Sequence, residues 1–331
     1  MIRRRICLTI LFLGMVVLTA CNPAADAPPR PTPTIYFAPA TPVVHAPPAP
    51  LPSTQPTAEP VTVLLLGVDR RDTNAISTNN TDTLILFYLD PENQHAAMLS
   101  IPRDLYVNIP GHDQNRINTA YAYGERDGTG GLTLARQTVS ATLGIPVDHA
   151  VLIDFKVFVT VVDAIGGIDV DVPYDIYDPT YPDSGIGYDP FYITAGSHHL
   201  DGATALKYAR TRATVGGDFG RTTRQRQVVM AVRDQVLSLD LLPSLIAQSP
   251  TLWATLQGSF EADLTLSEMI DLAINASHIP SDQIATGSID DSCTIPWTTP
   301  SGAQVLLPLP DVIDALVNGL ISPTPASASA K

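Results

Sequence analysis

From Val61 onward the chain alternates between two hydrophobic periods. Val61–Leu66, Thr83–Leu89 and Ala96–Ile101 are short runs rich in β-favouring residues, which predicts three strands. Asp90-Pro91-Glu92-Asn93 separates the second run from the third with turn chemistry, so the third is expected to return antiparallel. Helical spacing follows over Ile117–Tyr123 and Leu132–Leu143, the latter ended by Gly144. Val151–Asp154 predicts a short strand, Phe155–Ile165 a helix stopped by Gly166-Gly167, and Ile168–Val172 a strand closed by Pro173. Tyr174–Gly196 follows neither period and is rich in aspartate and tyrosine. Ala203–Ala209 and Arg221–Leu239 read as helices. Pro243–Leu320 adds two or three helices and two strands, near Gln283–Ile289 and Gln304–Leu307. Strands interleaved with helices predict an α/β layered domain, and the hairpin makes its sheet mixed and partly antiparallel.

The ends of the chain break this pattern. Arg3, Arg4 and Arg5 precede an apolar run, Ile6–Ala20, that is short for a transmembrane helix of about 20 residues and suits a secretory signal. It closes in Leu18-Thr19-Ala20-Cys21, which resembles a bacterial lipobox, with Cys21 as the lipidated residue; an uncleaved signal-anchor helix is the alternative. From 22 to 60 the chain is dominated by Pro, Ala and Thr and predicts an extended spacer. The expected organisation is signal 1–21, spacer 22–60, catalytic domain 61–240, an extension packed on that domain over 241–321, and a disordered tail 322–331.

Composition narrows the partners. With 45% hydrophobic and 16% charged residues a sizeable core is available, and a formal charge of −14 argues against nucleic acid. It does not argue against a small phosphate ligand, which a few placed arginines suffice to hold. Cys293 is left alone in the mature domain, so no disulfide framework is expected and no role is assigned to it.

Two concentrations carry candidate chemistry. Antiparallel geometry brings Asp69, Asp82, Arg103 and Asp104 to one end of the sheet, near Arg70 and Arg71. Paired aspartates without cysteine suit a hard cation such as Mg²⁺, although turn-end aspartates also cap loops. Lys207, Arg210, Arg212, Arg221, Arg224, Arg226 and Arg233 then crowd one stretch, after which no Lys or Arg recurs until Lys331. Arg221, Arg224 and Gln225 share a helix face, and Asp218-Phe219-Gly220 before that helix offers backbone N–H groups to an anion. Guanidinium groups bind phosphate oxygens bidentately, and a charge run is otherwise a solvated face. Carboxylates for a metal with arginines for phosphate point to metal-assisted chemistry on a phosphate ester. The remaining aspartates, Asp169, Asp171, Asp175, Asp178, Asp183 and Asp189, lack calcium-loop spacing and read as solvated loop residues.

The stretch from Val61 to Leu237 resembles the LytR-CpsA-Psr family of cell-wall ligases. The resemblance rests on Leu64-Leu65-Leu66-Gly67-Val68-Asp69, Asn80-Thr81-Asp82-Thr83, Ser100-Ile101-Pro102-Arg103-Asp104, Arg116-Ile117-Asn118-Thr119-Ala120-Tyr121 and Asp163-Ala164-Ile165-Gly166-Gly167. It continues through Lys207-Tyr208-Ala209-Arg210-Thr211-Arg212 and Asp218-Phe219-Gly220-Arg221-Thr222-Thr223-Arg224-Gln225. Each block alone is weak, and their common order is highly specific. Arg226 departs from the glutamine often found there, and the lipobox departs from the usual transmembrane anchor.

The resemblance implies a three-layer α/β/α domain with a hydrophobic pocket for a polyprenyl tail. It implies that Asp69 and Asp82 hold Mg²⁺ and that Arg103, Arg210, Arg212, Arg221 and Gln225 hold a diphosphate, to which Arg224 is added from the shared helix face. The implied reaction moves a glycopolymer from a polyprenyl-diphosphate carrier to a peptidoglycan sugar hydroxyl, at the outer face of the bacterial cytoplasmic membrane. Arg103, Asp82 and Asp104 are the catalytic candidates, with the general base open between the two aspartates. A diphosphatase without a sugar acceptor, and a non-catalytic surface protein that binds diphospho-lipids, are the alternatives.

Overall fold

The structure, a computed structural model, describes residues 59–69, 80–183, 187–214, 217–238, 241, 243–247 and 260–322, all within one compact unit, Pro48–Lys331. Cys21, the spacer but for its last two residues, Arg70, Arg71 and the tail from 323 lie outside the described residues.

Six strands form the central sheet: β1 (Val61–Val68), β2 (Thr81–Asp90), β3 (His95–Ser100), β4 (His149–Asp154), β5 (Phe260–Ala262) and β6 (Ile284–Ser288), in the spatial order β5-β4-β1-β2-β3-β6. β1 pairs antiparallel with β2 and parallel with β4, and β2 returns antiparallel into β3. The expected hairpin is present, its turn held by Asn93 N–H donating to Asp90 Oδ1 at 3.0 Å. Both outer strands come from the C-terminal segment, β5 beside β4 and β6 parallel to β3.

Alternation along β1 sets the layers. Leu64, Leu66 and Val68 bury completely on one face, with helices α1 (Ala120–Asp127) and α2 (Gly131–Leu143) and with Ile313, Val317 and Leu320 of the last helix. The other face carries Val63 and Leu65, which are only partly buried. Over it lie α3 (Phe155–Ala164), α4 (Gly202–Arg210), α5 (Gly217–Ser238) and α6 (Leu266–Ser277), and α7 (Pro310–Ile321) closes the first layer. The result is the expected α/β/α sandwich with a mixed sheet.

Three expectations change. The long helix starts at Gly217, so Asp218-Phe219-Gly220 is its first turn and not a preceding anion loop; an acidic first turn complements the helix dipole. Thr294–Thr298 adds a strand not expected from the sequence and pairs with Gln304–Pro308, while β6 joins the edge of the main sheet. Within the irregular stretch after Tyr174, Ile176–Asp178 and Phe191–Ile193 form a small antiparallel hairpin.

Candidate active site

The C-terminal ends of β1 and β4, the start of β2 and the exit of β3 meet at one edge of the sheet, opposite the first turn of α5. Arg103, just past β3, donates to Asp82 at the start of β2, and its Nε lies 3.6 Å from Asp104 and 4.0 Å from Asp218. Arg210, the last residue of α4, donates to Asp69 at 2.7 Å. Arg221 contacts Asp218 at 2.8 Å and Asp82 at 3.9 Å, while Arg212 Nε lies 3.6 Å from Asp218. Arg116 joins through Asp104 at 3.1 Å. Five arginines thus face four aspartates, leaving about one net positive charge.

Burial and charge pull these groups in opposite directions. Burial lowers the pKa of Arg103, but Asp82, Asp104 and Asp218 outweigh it and raise it above the ordinary guanidinium value. Arg221 is 4% exposed, and burial wins there: its pKa falls, with Asp218 opposing and Arg212 and Arg103 adding to the fall. Guanidinium groups nevertheless stay charged at neutral pH.

The ion pairs line a cavity of about 470 Å³, walled by Asp82, Arg210, Arg212, Arg221 and Gln225 on one side and by the strap from Asp178 to Pro182 on the other. An apolar cleft of about 80 Å³ adjoins it beneath α5, sharing Phe155, Arg210 and Gln225 and continuing over Leu65, Ile85, Leu206 and Val228. Phe155 stacks under the Arg210 guanidinium at 4.6 Å, so one side chain marks the border of charged and apolar space.

Asp69, Asp82, Arg103, Asp104, Arg210, Arg212, Arg221 and Gln225 are therefore brought together. Arg224 is not. Although it follows Arg221 on the helix, its buried guanidinium turns to the backbone, donating to the Tyr208 carbonyl at 2.9 Å, to Thr214 Oγ1 at 3.0 Å and to the Thr211 carbonyl. It braces the segment that carries Arg210 and Arg212. Asp178 also departs from its expected place as a solvated loop residue: it is buried, accepts from the Thr211 hydroxyl at 2.7 Å, and so fixes the same segment from the other side. Its run of neighbouring aspartates hid it. Asp218, which no residue-level pattern distinguished as a hub, touches three of the arginines.

Among the described residues, no three or more His, Cys, Asp or Glu side chains are grouped to hold a metal ion. Asp69 and Asp82, at the ends of adjacent strands, are the available carboxylate pair. Such a pair falls short of an all-protein cage, and it suits a cation completed by water and a substrate phosphate.

The LytR_cpsA_psr family model matches residues 44–305. A polyisoprenyl-teichoic acid–peptidoglycan teichoic acid transferase TagU of Oceanobacillus iheyensis is 35% identical over 216 residues, 65% of this chain and 62% of that protein. TagV of Bacillus subtilis, described by the same transferase activity, is 35% identical over 71% of this chain and 57% of its own length. The chain thus spans about 60% of the length of these curated relatives. The crystal structure of B. subtilis TagV superposes with a TM-score of 0.62 at 30% identity, covering 81% of this chain and 99% of that one. A structure of TagT bound to LI-WTA gives a TM-score of 0.60 at 27% identity, covering 82% and 92%.

Proposed function

The chain belongs to the LytR-CpsA-Psr family, and on that premise we propose that it transfers a phosphate-linked glycopolymer from a polyprenyl-diphosphate carrier to a sugar hydroxyl of peptidoglycan. The observation that carries this reading is the arginine–aspartate cluster at the mouth of an apolar cleft. A diphospholipid has this same division, a charged head on an apolar tail. The cleft beneath α5 takes the first isoprene units, and the further apolar space over Val63, Phe87 and Val229 on the same sheet face lies in line to take more.

Arg103, Arg210, Arg212, Arg221 and Gln225 hold the diphosphate oxygens. Arg103 and Arg210 exchange their carboxylate partners for phosphate as the head group enters. Asp69 and Asp82 would hold a divalent cation, and their hard carboxylate oxygens fit Mg²⁺. Held there, the cation would supply neutralisation of diphosphate charge and polarisation of the phosphoryl oxygens. The acceptor oxygen attacks the polymer-side phosphorus, the bond from that phosphorus to the bridging oxygen breaks, and polyprenyl phosphate leaves with the electron pair. The hydroxyl proton passes to a carboxylate, Asp82 or Asp104. Arg221 and Arg103 hold the charge that develops on the leaving phosphate.

This chemistry belongs at the outer face of the cytoplasmic membrane, with Cys21 as lipid anchor and the 22–60 spacer lifting the domain toward the wall. Cys21→Ala is expected to move the protein from the membrane fraction to the soluble one; unchanged fractionation would refute the anchor.

The deciding experiment is release of polyprenyl phosphate from a synthetic polyprenyl-diphosphate sugar, with and without Mg²⁺ and peptidoglycan fragments. Release that needs Mg²⁺ and leaves label on the fragments is expected. Arg103→Ala should lower it by about 10²–10³-fold with the fold retained. Release without labelled fragments would instead favour a diphosphatase, and tight binding without turnover a regulatory protein.

A further inference from the structure

A second, larger cleft opens beside the arginine cluster. It has a volume of about 1030 Å³ and shares Phe155, Tyr181, Pro182 and Arg210 with the diphosphate cavity or its rim. Its floor is α3 and α4, and its outer wall is formed by Tyr181–Asp183 and Tyr188–Pro190. Tyr181 is buried and fixed there, packed on Phe191 with ring centroids 6.3 Å apart and beneath Lys207, which Asp189 holds. Tyr188 stands at the rim, 68% exposed.

Among the described residues, the exposed large apolar side chains gather beside this cleft and on the hairpin behind it. Tyr174, Tyr177, Tyr188 and Tyr192 are exposed, against only Ile295, Trp297 and Val312 among the other large apolar side chains of the described residues. Tyr177 and Tyr192 sit directly opposite each other on the hairpin, their rings edge-to-face at 6.3 Å. Exposed aromatic rings grouped in this way mark a binding surface. A tyrosine offers a flat apolar face with a polar rim, which matches a pyranose ring with its C–H face and peripheral hydroxyls.

Charge selects among saccharides. No Lys or Arg occurs between Lys156 and Lys207, while Asp171, Asp175, Asp183 and Asp189 do. In the cleft itself Lys156, Lys207 and Arg210 are matched by Asp69, Asp154, Asp183 and Asp189, so it offers a polyphosphate chain no net positive charge, and an uncharged glycan backbone needs none. We infer that this cleft and the tyrosine face beyond it bind the uncharged N-acetylhexosamine backbone of the acceptor glycan and deliver its hydroxyl to the phosphate held by Arg210. This inference rests on the phosphotransfer reading for the identity of the acceptor, and its recognition chemistry is testable separately.

The probe is chitotetraose, an uncharged N-acetylglucosamine oligomer, titrated against the full chain by NMR and calorimetry, with soluble polyglycerol phosphate as the competing polymer. Binding of chitotetraose is expected to weaken about three- to tenfold in Tyr188→Ala, the loss of one ring contact, and further in the Tyr177→Ala/Tyr192→Ala pair. All these side chains are exposed, so the variants should melt as the parent does. Equal binding by parent and variants would overturn the inference. So would polyglycerol phosphate binding that Tyr188→Ala abolishes, since the surface would then belong to the donor polymer. Absence of polyprenyl phosphate release from every variant and the parent would count against the phosphotransfer reading alone.

Discussion

Arg221, Arg224 and Gln225 stand three and four residues apart on one helix, yet the three side chains divide between two tasks. Arg221 and Gln225 line the cavity, whereas Arg224 holds the carbonyls of Tyr208 and Thr211. Its role separates from direct phosphate binding by geometry: lysine keeps the charge but has no planar fork to span three acceptors. Arg224→Lys is therefore expected to lower stability, each carbonyl left unpaired costing about 1–3 kcal/mol, and to reduce activity through misplaced Arg210 and Arg212. A thermal melt beside the release assay checks this; lost activity with an unchanged melt would restore Arg224 to the diphosphate. His199 is a second residue whose state the surroundings impose. Its ring nitrogens face Asp169 Oδ1 at 2.7 Å and the Gly166 carbonyl at 2.8 Å, both pure acceptors, so the doubly protonated ring satisfies both. The Asp169 hydrogen bond first, and the Gly166 carbonyl next, raise its pKa above the ordinary imidazole value. A raised folded-state value means that this contribution to stability is complete below about pH 6.5 and fades as pH rises through the folded value. NMR titration should place His199 above about 6.5, and Asp169→Asn should bring it down; a value unmoved by that change would exclude the pairing.

At the scale of elements, the site depends on how closely α3 and α4 approach. Gly202, the first residue of α4, lies so near α3 that an added Cβ would stand 2.3 Å from the Val159 carbonyl oxygen and 2.8 Å from its Cα. These are backbone atoms and cannot swing aside. Gly202 N–H also donates to Asp163 at 2.7 Å, so contact and hydrogen bond share one point. α4 ends in Arg210 and α3 begins at Phe155, the pair that borders the charged and apolar spaces. Gly202→Ala is expected to destabilise by about 1–3 kcal/mol through overpacking, and to loosen the Phe155–Arg210 contact. Denaturant unfolding measures the first; an unchanged midpoint would show that the helices have room to part.

For the whole molecule, the C-terminal segment matters more than an appended extension would. It contributes both outer strands of the main sheet, and Ile289, Cys293, Ile313, Val317 and Leu320 bury in the same cluster as Leu64 and Leu66. The family match, which continues to residue 305, reaches into this segment. A chain ending at residue 240 would expose two strand edges and one side of that core. It is expected to be insoluble or to lose its cooperative melt; a soluble, cooperatively folding fragment would restore 241–321 to the status of an addition.

What the sequence determined by itself was whatever depends on local periodicity and on ordered motifs. The first three strands, the turn at Asp90, the helix stop at Gly166-Gly167 and the family blocks all follow from residues close along the chain. So does the meeting of Asp82 with Arg103, since antiparallel pairing leaves no other place for them. Tertiary structure decided whatever depends on partners distant in sequence. β6 and the strand at Gln304–Pro308 read alike, and only the free edge of β3 selects one for the main sheet. Asp178 resembles every other aspartate of its segment until Thr211, 33 residues away, meets it in the interior. Arg224 shares a helical face with Arg221, but its long side chain reaches backbone carbonyls whose position α4 sets. Helical spacing fixes where a side chain starts, and the packing around it decides where a guanidinium ends.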